Sequence, residues 1–335
     1  MQSTVRVAIR RKSPGSAVII DNHDMTTSKT AHVCICLATF RRNERLRAVL
    51  DDLALQSRLP EQIVVVDNDP SGSARVVIEA YRATGVPIPV IYDVQPEPNI
   101  ARTRNRTFEL ASGEWMAFID DDERAPPEWL QNLLNAAERF QADGVLAPVE
   151  PRVPDSAPAW IRRGRFYDFP HQPEGAVVPQ QGMRFGNVLL RAQCLRALPG
   201  PFDTRHGLMT GEDFDLLVRL THNGAKIVWS ETAPVFEPIE AKRLSLRWLL
   251  QRSFSGGQAF ARYTVGGGFR PIGAIGRGLF FSRALLQMIV AALIAAPAWV
   301  FGRHHAAAWL IKSMANFGKL TTLWGWRYRE YARTP

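Results

Sequence analysis

Four short apolar stretches rich in β-branched residues mark the first 120 positions: His32–Ala38, Gln62–Asp67, Ile88–Val94 and Trp115–Asp120, starting about 26–30 residues apart. That spacing is the rhythm of strand–helix units. The stretches are apolar at successive positions instead of alternating, as strands of a parallel sheet covered on both faces require. Between them Leu46, Val49, Leu50, Leu53 and Ala54 recur at helical spacing, and Trp129, Leu130, Leu133, Leu134, Ala137 and Phe140 do so later. These predict amphipathic helices that cover the sheet. From Pro148 to Pro179 the chain is dense in Pro, Arg and aromatic residues without a clear period, which predicts an irregular connection and a boundary near residue 150. A strand candidate at Phe185–Leu190 follows, then a helix opening at Gly211-Glu212-Asp213, then two short strands, Ala225–Trp229 and Ala233–Glu237, expected to pair with each other.

The texture changes after Ile272. An 18-residue apolar stretch, Ala284–Phe301, is interrupted only by Gln287 and Pro297, and at about 1.5 Å per residue it just reaches the roughly 30 Å core of a bilayer. A single crossing would put Arg303, Lys312, Lys319, Arg327, Arg329 and Arg333 on the far side, against the positive-inside tendency. The pattern therefore favours a shallow or re-entrant hairpin, or helices lying on the membrane surface with Trp299, Trp309, Trp324 and Trp326 at headgroup level. Four segments result: a leader at 1–30, a first α/β half at 31–150, a second at 151–240, and a basic, apolar helical region at 241–335.

Composition sharpens this picture in two places. The 335-residue chain is 46% hydrophobic, enough for a sizeable core, and carries a formal net charge of +9. Residues 241–335 hold 14 Lys or Arg and one acid, so this region is +13 and the remainder is −4. A body that is mildly acidic disfavours a nucleic-acid binder, and the concentrated charge suits anionic lipid. Cys34 and Cys36 fall on one face of one strand, and with only three cysteines a disulfide framework is excluded. Arg10, Arg11 and Lys12 have no apolar stretch behind them, so the N-terminus does not read as a secretory signal and the body is expected in the cytosol.

Candidate chemistry concentrates at strand ends. Trp115–Phe118 leads into Ile119 and the acids Asp120, Asp121, Asp122 and Glu123, and in an open α/β sheet the carboxyl ends of strands face the ligand crevice. Adjacent anions repel unless a cation neutralises them, and hard oxygen ligands suit Mg²⁺ or Mn²⁺. A solvated acidic turn before Pro126 and Pro127 is the competing account. Asp67 ends the second stretch, where it serves equally as a turn residue, and Thr39-Phe40-Arg41-Arg42 follows the first. Asn99-Ile-Ala-Arg102-Thr-Arg104-Asn105-Arg106 opens a helix whose cations suit phosphate, or form an exposed basic face. Glu212 and Asp213 begin another, as dipole partners or as a base for a hydroxyl acceptor, with Asp213 the candidate base.

Taken in order, Leu37-Ala-Thr39-Phe40-Arg41-Arg42, Val64-Val-Val-Asp67-Asn68, Asn99 to Asn105, Phe118-Ile-Asp120-Asp121-Asp122 and Gly211-Glu212-Asp213 resemble the signature series of glycosyltransferase family 2, over roughly residues 31–260. The resemblance implies a GT-A fold, a Rossmann-like mixed and largely parallel sheet with helices on both faces, a nucleotide-diphosphate sugar donor such as a UDP-sugar, a divalent metal and inversion at the anomeric carbon. It implies that Thr39, Phe40, Arg41 and Asp67 hold base and ribose, that Arg102 holds the nucleotide, and that Asp120 and Asp122 form the pair for ribose, diphosphate and metal. Asp213 is then the catalytic base and Glu212 the acceptor-binding residue. Within the family the chain is most similar to the bacterial exopolysaccharide branch, including succinoglycan-type transferases that extend a polyprenyl-diphosphate-linked glycan at the cytoplasmic face of the inner membrane. Two departures stand out. Glu237 occupies the region where many relatives carry a His ligand, and the chain lacks the Gln-x-x-Arg-Trp motif and multiple spans of processive synthases, which implies one sugar per acceptor. Strand-end acids also serve metal-dependent phosphatases and nucleotidyltransferases, and a non-catalytic membrane scaffold for polysaccharide assembly is the further alternative.

Overall fold

A computed structural model describes residues 31–206, 211–269, 271–326 and 328. The leader at 1–30, with Arg10, Arg11 and Lys12, lies outside the described residues, as do Arg270, Arg327, Arg329 and Arg333 of the basic region. In chain order the body contains β1 (Val33–Thr39), α1 (Asn43–Ala54), β2 (Gln62–Asp67), α2 (Arg75–Arg82), β3 (Val90–Val94), α3 (Ile100–Leu110), β4 (Trp115–Phe118) and α4 (Trp129–Arg139). There follow β5 (Gly144–Leu146), β6 (Val149–Arg152), α5 (Ala159–Gly164), β7 (Val188–Arg191), α6 (Ala192–Arg196), α7 (Glu212–His222), β8 (Ile227–Trp229) and β9 (Val235–Pro238). Three helices complete it: α8 (Leu246–Val265), α9 (Ala274–Ala298) and α10 (Arg303–Thr321).

Seven strands form one sheet in the order β3-β2-β1-β4-β7-β5-β8. The pairs β1–β2, β1–β4, β2–β3 and β5–β8 are parallel, and β7 runs antiparallel to both β4 and β5. The largely parallel sheet expected from the apolar stretches is thus present, and it is mixed, as the family resemblance implies, through the antiparallel β7. Alternation along each strand divides the core. Val33, Ile35, Leu37, Ile63 and Val65 pack beneath α1, α2 and α4, whereas Cys34, Cys36, Val64 and Val66 face α3, α6 and α7. Both faces are dry, which explains why the stretches read as unbroken apolar runs.

Two expectations need correction. The strands near 225–237 do not pair with each other: β8 adds to the edge of the large sheet beside β5, and β9 pairs with β6 in a separate two-stranded ribbon. Nor is the stretch 148–179 wholly irregular, since it contains β6 and α5. Strands from both sides of residue 150 share the one sheet. Asn187, just before β7, ties these parts together: its Oδ1 accepts from Trp129 Nε1 at 2.8 Å, and its Nδ2 donates to the Pro148 and Ala233 carbonyls.

Helices α9 and α10 form a hairpin, with the Ser313 hydroxyl donating to the Met288 carbonyl at 3.0 Å. α9 buries a stripe of small residues (Ala284, Ala291, Ala295, Ala298) and exposes Leu279, Leu286, Ile289, Val290 and Leu293. Ala274–Phe301 is long and apolar enough to cross a membrane, and only 22% of its apolar window is buried. α10 lies between α9 and the body. It crosses α8 so closely that a Cβ added at Gly257 would stand 2.0 Å from the Ala315 carbonyl oxygen, and one at Gly318 would stand 2.2 Å from that of Phe254. Gly256 faces open space.

This difference gives a test. Gly257→Ala forces two backbones apart and is expected to destabilise the protein by about 1–3 kcal/mol. Gly256→Ala, a helix-interior glycine with room, is expected to be neutral or to add up to about 1 kcal/mol. Thermal unfolding of the two variants side by side checks the prediction.

Candidate active site

The crevice opens where β1, β2 and β4 end and α3 and α7 begin, which is where an open α/β sheet offers its ligand site. The turn after β4 is closed by a reciprocal pair: Glu123 N donates to the Asp120 carbonyl at 3.2 Å, and Asp120 N donates to Glu123 Oε2 at 3.0 Å. Glu123 therefore points inward. It meets the backbone of Gly186 (φ 112°), where an added Cβ would stand 2.7 Å from Glu123 Oε1. No other residue type leaves that floor open.

The remaining acids of the tract diverge. Asp121 Oδ2 accepts from the Thr39 hydroxyl and Oδ1 from Arg42, each at 2.7 Å. Asp122 Oδ2 is shared by three guanidinium groups, with Arg243 at 3.0 Å, Arg42 at 3.1 Å and Arg45 at 3.3 Å. Asp120 turns toward the helices: its Oδ1 lies 3.2 Å from Arg104, which reaches on to Glu212 at 2.8 Å. Arg104 is buried and lies over the ring of Phe185, 4.7 Å from its centroid. Asp120 is the open member, its side chain 43% exposed.

Crowding shifts these groups. Burial pushes Asp121 up to about 6, with Asp122 adding to the push and Arg42 and Thr39 opposing it. Burial also raises Glu212 to about 8, reinforced by Asp213 and opposed by Arg104. Glu123 is pushed well above the carboxylate range by burial and then by Asp120. Glu237 is raised by burial against the pull of Arg243, and Asp122 and Asp120 add to the rise. The last of these shows where β9 leads: Glu237, in the region where the family resemblance leads one to look for His, faces the same acids and ion-pairs with Arg243.

The sequence-derived residues at β1, β2 and α3 line the same edge. Asp67 is fully buried, with Oδ1 accepting from Asp69 N at 2.9 Å and Oδ2 from Ala74 N at 2.8 Å and the Tyr92 hydroxyl at 3.1 Å. Its carboxylate holds the turn into α2. Arg41, in left-handed conformation (φ 51°), stands over the Phe40 ring and pairs with Asp69 at 3.1 Å. Burial opposes ionisation of Asp69, yet Arg41 and hydrogen bonds from Ser71 and Ser73 hold it below the usual carboxylate range. Asn99 caps α3, its Oδ1 accepting from Arg102 N at 3.0 Å, and the half-exposed Arg102 side chain pairs with Glu97 at 3.2 Å.

α7 begins at Glu212, after Gly211 in left-handed conformation (φ 118°). Glu212 is buried beneath Arg104, whereas Asp213 is partly exposed and lies within electrostatic reach of Asp120 and Glu212. Arg184 is nearby: burial brings it down to about 10, and Glu237, Glu123 and Asp213 support its charge. Sequence reasoning missed Arg45, Arg184 and the pairing of Arg243. Arg243 lies 121 positions from Asp122, and its only signal was membership in a basic tract.

Among the described residues no three His, Cys, Asp or Glu side chains are gathered as a ready-made metal site. The chemistry of the donor set nevertheless fits a hard divalent cation. Asp120, Asp122 and Glu237 would supply only oxygen ligands, and a cation at Asp122 would take the place now held by the guanidinium groups of Arg42, Arg45 and Arg243.

Comparison with known proteins agrees with this architecture. The family model described as "Glycosyl transferase family 2" matches residues 34–198. The chain is 35% identical over 243 residues to the succinoglycan biosynthesis protein ExoM of Rhizobium meliloti, covering 70% of this chain and 76% of that one. It is 28% identical over 228 residues to the galactofuranosyltransferase GlfT1 of Mycolicibacterium smegmatis, covering 62% of this chain and 72% of the relative. Among solved structures, a mannosyltransferase from Pyrobaculum calidifontis in complex with GDP-Man and Mn²⁺ superposes with a TM-score of 0.63 at 16% identity, covering 88% of each chain. That likeness establishes a shared GT-A fold, and the identity to the succinoglycan protein carries the relationship further: the chain belongs to glycosyltransferase family 2 and is a glycosyltransferase.

Proposed function

We propose that the enzyme transfers one hexose, with inversion, from a nucleotide-diphosphate sugar to a polyprenyl-diphosphate-linked glycan during assembly of a bacterial exopolysaccharide. The observation that carries this reading is the meeting of acids from two separate segments across one crevice: Arg104 joins Asp120, after β4, to Glu212 at the start of α7, and the adjacent Asp213 lies within electrostatic reach of Asp120. The relationship to a succinoglycan biosynthesis protein supports the pathway class. The GDP-Man and Mn²⁺ held by the mannosyltransferase of like fold support the donor class and a divalent ion, Mg²⁺ or Mn²⁺. A UDP-sugar is the donor we favour.

In this reading Thr39, Phe40, Arg41 and Arg102 receive the base, ribose and nucleotide at the ends of β1 and α3. Asp67 acts on them through the turn that its carboxylate holds. Asp120 and Asp122 would hold the divalent ion, whose charge would offset that of the departing diphosphate. Asp213 takes the proton from the acceptor hydroxyl as that oxygen forms its bond to C1 and the C1–O bond to the diphosphate breaks. Glu212, beneath Arg104, orients the acceptor side of the crevice through that arginine. No covalent enzyme intermediate is needed.

We place the enzyme at the cytoplasmic face of the inner membrane, with the exposed apolar face of α9 in the lipid and the basic residues of 241–335 on anionic headgroups. Each well-placed cation contributes about 1 kcal/mol. Because α10 lies between α9 and the body, a flat, interfacial α9 is favoured over a spanning one.

Radiolabelled sugar nucleotides offered with a bacterial lipid extract test the function. Label is expected in the organic phase and is expected to vanish with EDTA; label appearing only in free monosaccharide would refute the reading. Asp213→Asn is expected to lower kcat about 10²–10⁴-fold while UDP affinity, measured by calorimetry, stays within twofold. Arg104→Ala, which leaves Glu212 buried without its partner, is expected to cost on the order of 3 kcal/mol of stability in urea unfolding. Arg104→Lys is expected to recover only part of this, because an ammonium cannot reproduce the forked contact to two carboxylates.

A further inference from the structure

We propose that the pocket between the end of β6 and α5 is the subsite for the diphosphate of the lipid-linked acceptor. The inference rests on the acceptor class proposed above. The pocket encloses about 530 Å³ and is lined by Arg152, Arg162 and Arg165, with Asp155 and Asp168 at its wall. Arg165 is ion-paired with Asp168, and Arg152 lies over the Phe236 ring, 4.0 Å from its centroid. Among the described residues Arg162 and the adjacent Arg163 have no carboxylate partner, although Arg162 lines a concave site. Guanidinium groups match the geometry of phosphate and carboxylate oxygens, and with three of them against two carboxylates the pocket keeps a positive balance for an anionic phosphate group.

Position makes the case specific. On one side Tyr167, next to the lining residue Asp168, leads from the pocket toward the reaction crevice. The Tyr167 hydroxyl donates to the Arg243 carbonyl at 2.8 Å, and the Arg243 guanidinium lies 3.0 Å from Asp122. β6 and β9 are in register with Pro151 opposite Glu237, so the pocket edge and the acid cluster share one ribbon. On the other side Trp160, next to the lining residue Ile161, leads from the pocket toward the apolar hairpin. Trp160 of α5 lies 5.7 Å from the Arg303 guanidinium, which lies 5.5 Å from the Trp299 ring. There Trp299, Val300 and Phe301 are 59%, 84% and 78% exposed.

An apolar tip, an arginine pocket and a sugar-transfer crevice therefore follow one another along the surface. A prenyl diphosphate that bears a glycan presents the same three parts in the same order: hydrocarbon, diphosphate, sugar. A bilayer phospholipid shares the first two and lacks the third, so its headgroup is the competing source of phosphate.

The test uses the full-length protein in neutral detergent, with farnesyl diphosphate as the probe and farnesol, inorganic pyrophosphate and phosphatidylglycerol vesicles as comparisons. Farnesyl diphosphate is expected to bind at least tenfold more tightly than farnesol or pyrophosphate. The double variant Arg162→Ala/Arg165→Ala is expected to lose at least tenfold in farnesyl diphosphate affinity while vesicle flotation and UDP affinity hold, the latter reporting an intact fold. The double lysine variant is expected to recover part of the loss. Unchanged farnesyl diphosphate affinity in the alanine variant would overturn the proposal, as would a loss confined to vesicle flotation, which would assign the arginines to bilayer headgroups. Arginine-dependent binding of farnesyl diphosphate together with failure of label to enter the organic phase would uphold the subsite and refute the transfer reaction.

Discussion

Carboxylates gathered at the end of a buried strand repel one another, and the arrangement of positive charge around them governs the rest of this molecule. Asp120, Asp121, Asp122 and Glu123 follow β4 after the single residue Ile119, and Glu212 and Glu237 approach from α7 and β9. Four arginines answer them: Arg42 and Arg45 at the start of α1, Arg104 in α3 and Arg243 before α8. Arg42 pairs with the adjacent Asp121 and Asp122, and each of the other three bridges acids from two different places in the chain. Arg104 joins β4 to α7, and Arg243 joins β4 to β9. The charges that make the crevice suitable for catalysis thus also fix the relative placement of the segments that line it.

Much of the fold was legible because burial on both faces leaves a strong mark. β1, β2 and β4 are apolar at nearly every position, and α1 and α4 place their buried residues at the predicted 3.6-residue spacing. The later strands, of three or four residues, carried too little pattern to reveal partners. β7 enters the sheet antiparallel between β4 and β5, and β8 and β9 part company, because long-range contacts decide pairing when strands are this short. Asn187 is an example: its three hydrogen bonds connect Trp129, Pro148 and Ala233, and no local motif announces them.

At the crevice the acids were visible in the sequence and their partners were not. A run such as Asp120–Glu123 stands out because like charges seldom adjoin at the end of an apolar strand. Arg45 and Arg243 look like any other basic residue, since their significance lies in contacts 77 and 121 positions away. The same reasoning separates Asp67 from Asp120. Both end strands, but Asp67 is satisfied by backbone N–H groups of the turn that follows, whereas Asp120 keeps an exposed face.

The close crossing of α8 and α10 has a consequence for distance. With Gly257 and Gly318 in backbone contact with the opposing helix, α10 has no slack against the body, and α9 is held to α10 by its alanine stripe. In the membrane-bound arrangement proposed above, α10 would set most of α9 off from the body by one helix diameter, about 8–10 Å, with Phe280 of α9 meeting Phe260 of α8 at one end. In that arrangement the helical pair would act as a spacer of set thickness, and the fold would set the height of the reaction crevice above the bilayer. That height would select acceptors by how far their terminal sugar stands from the lipid surface.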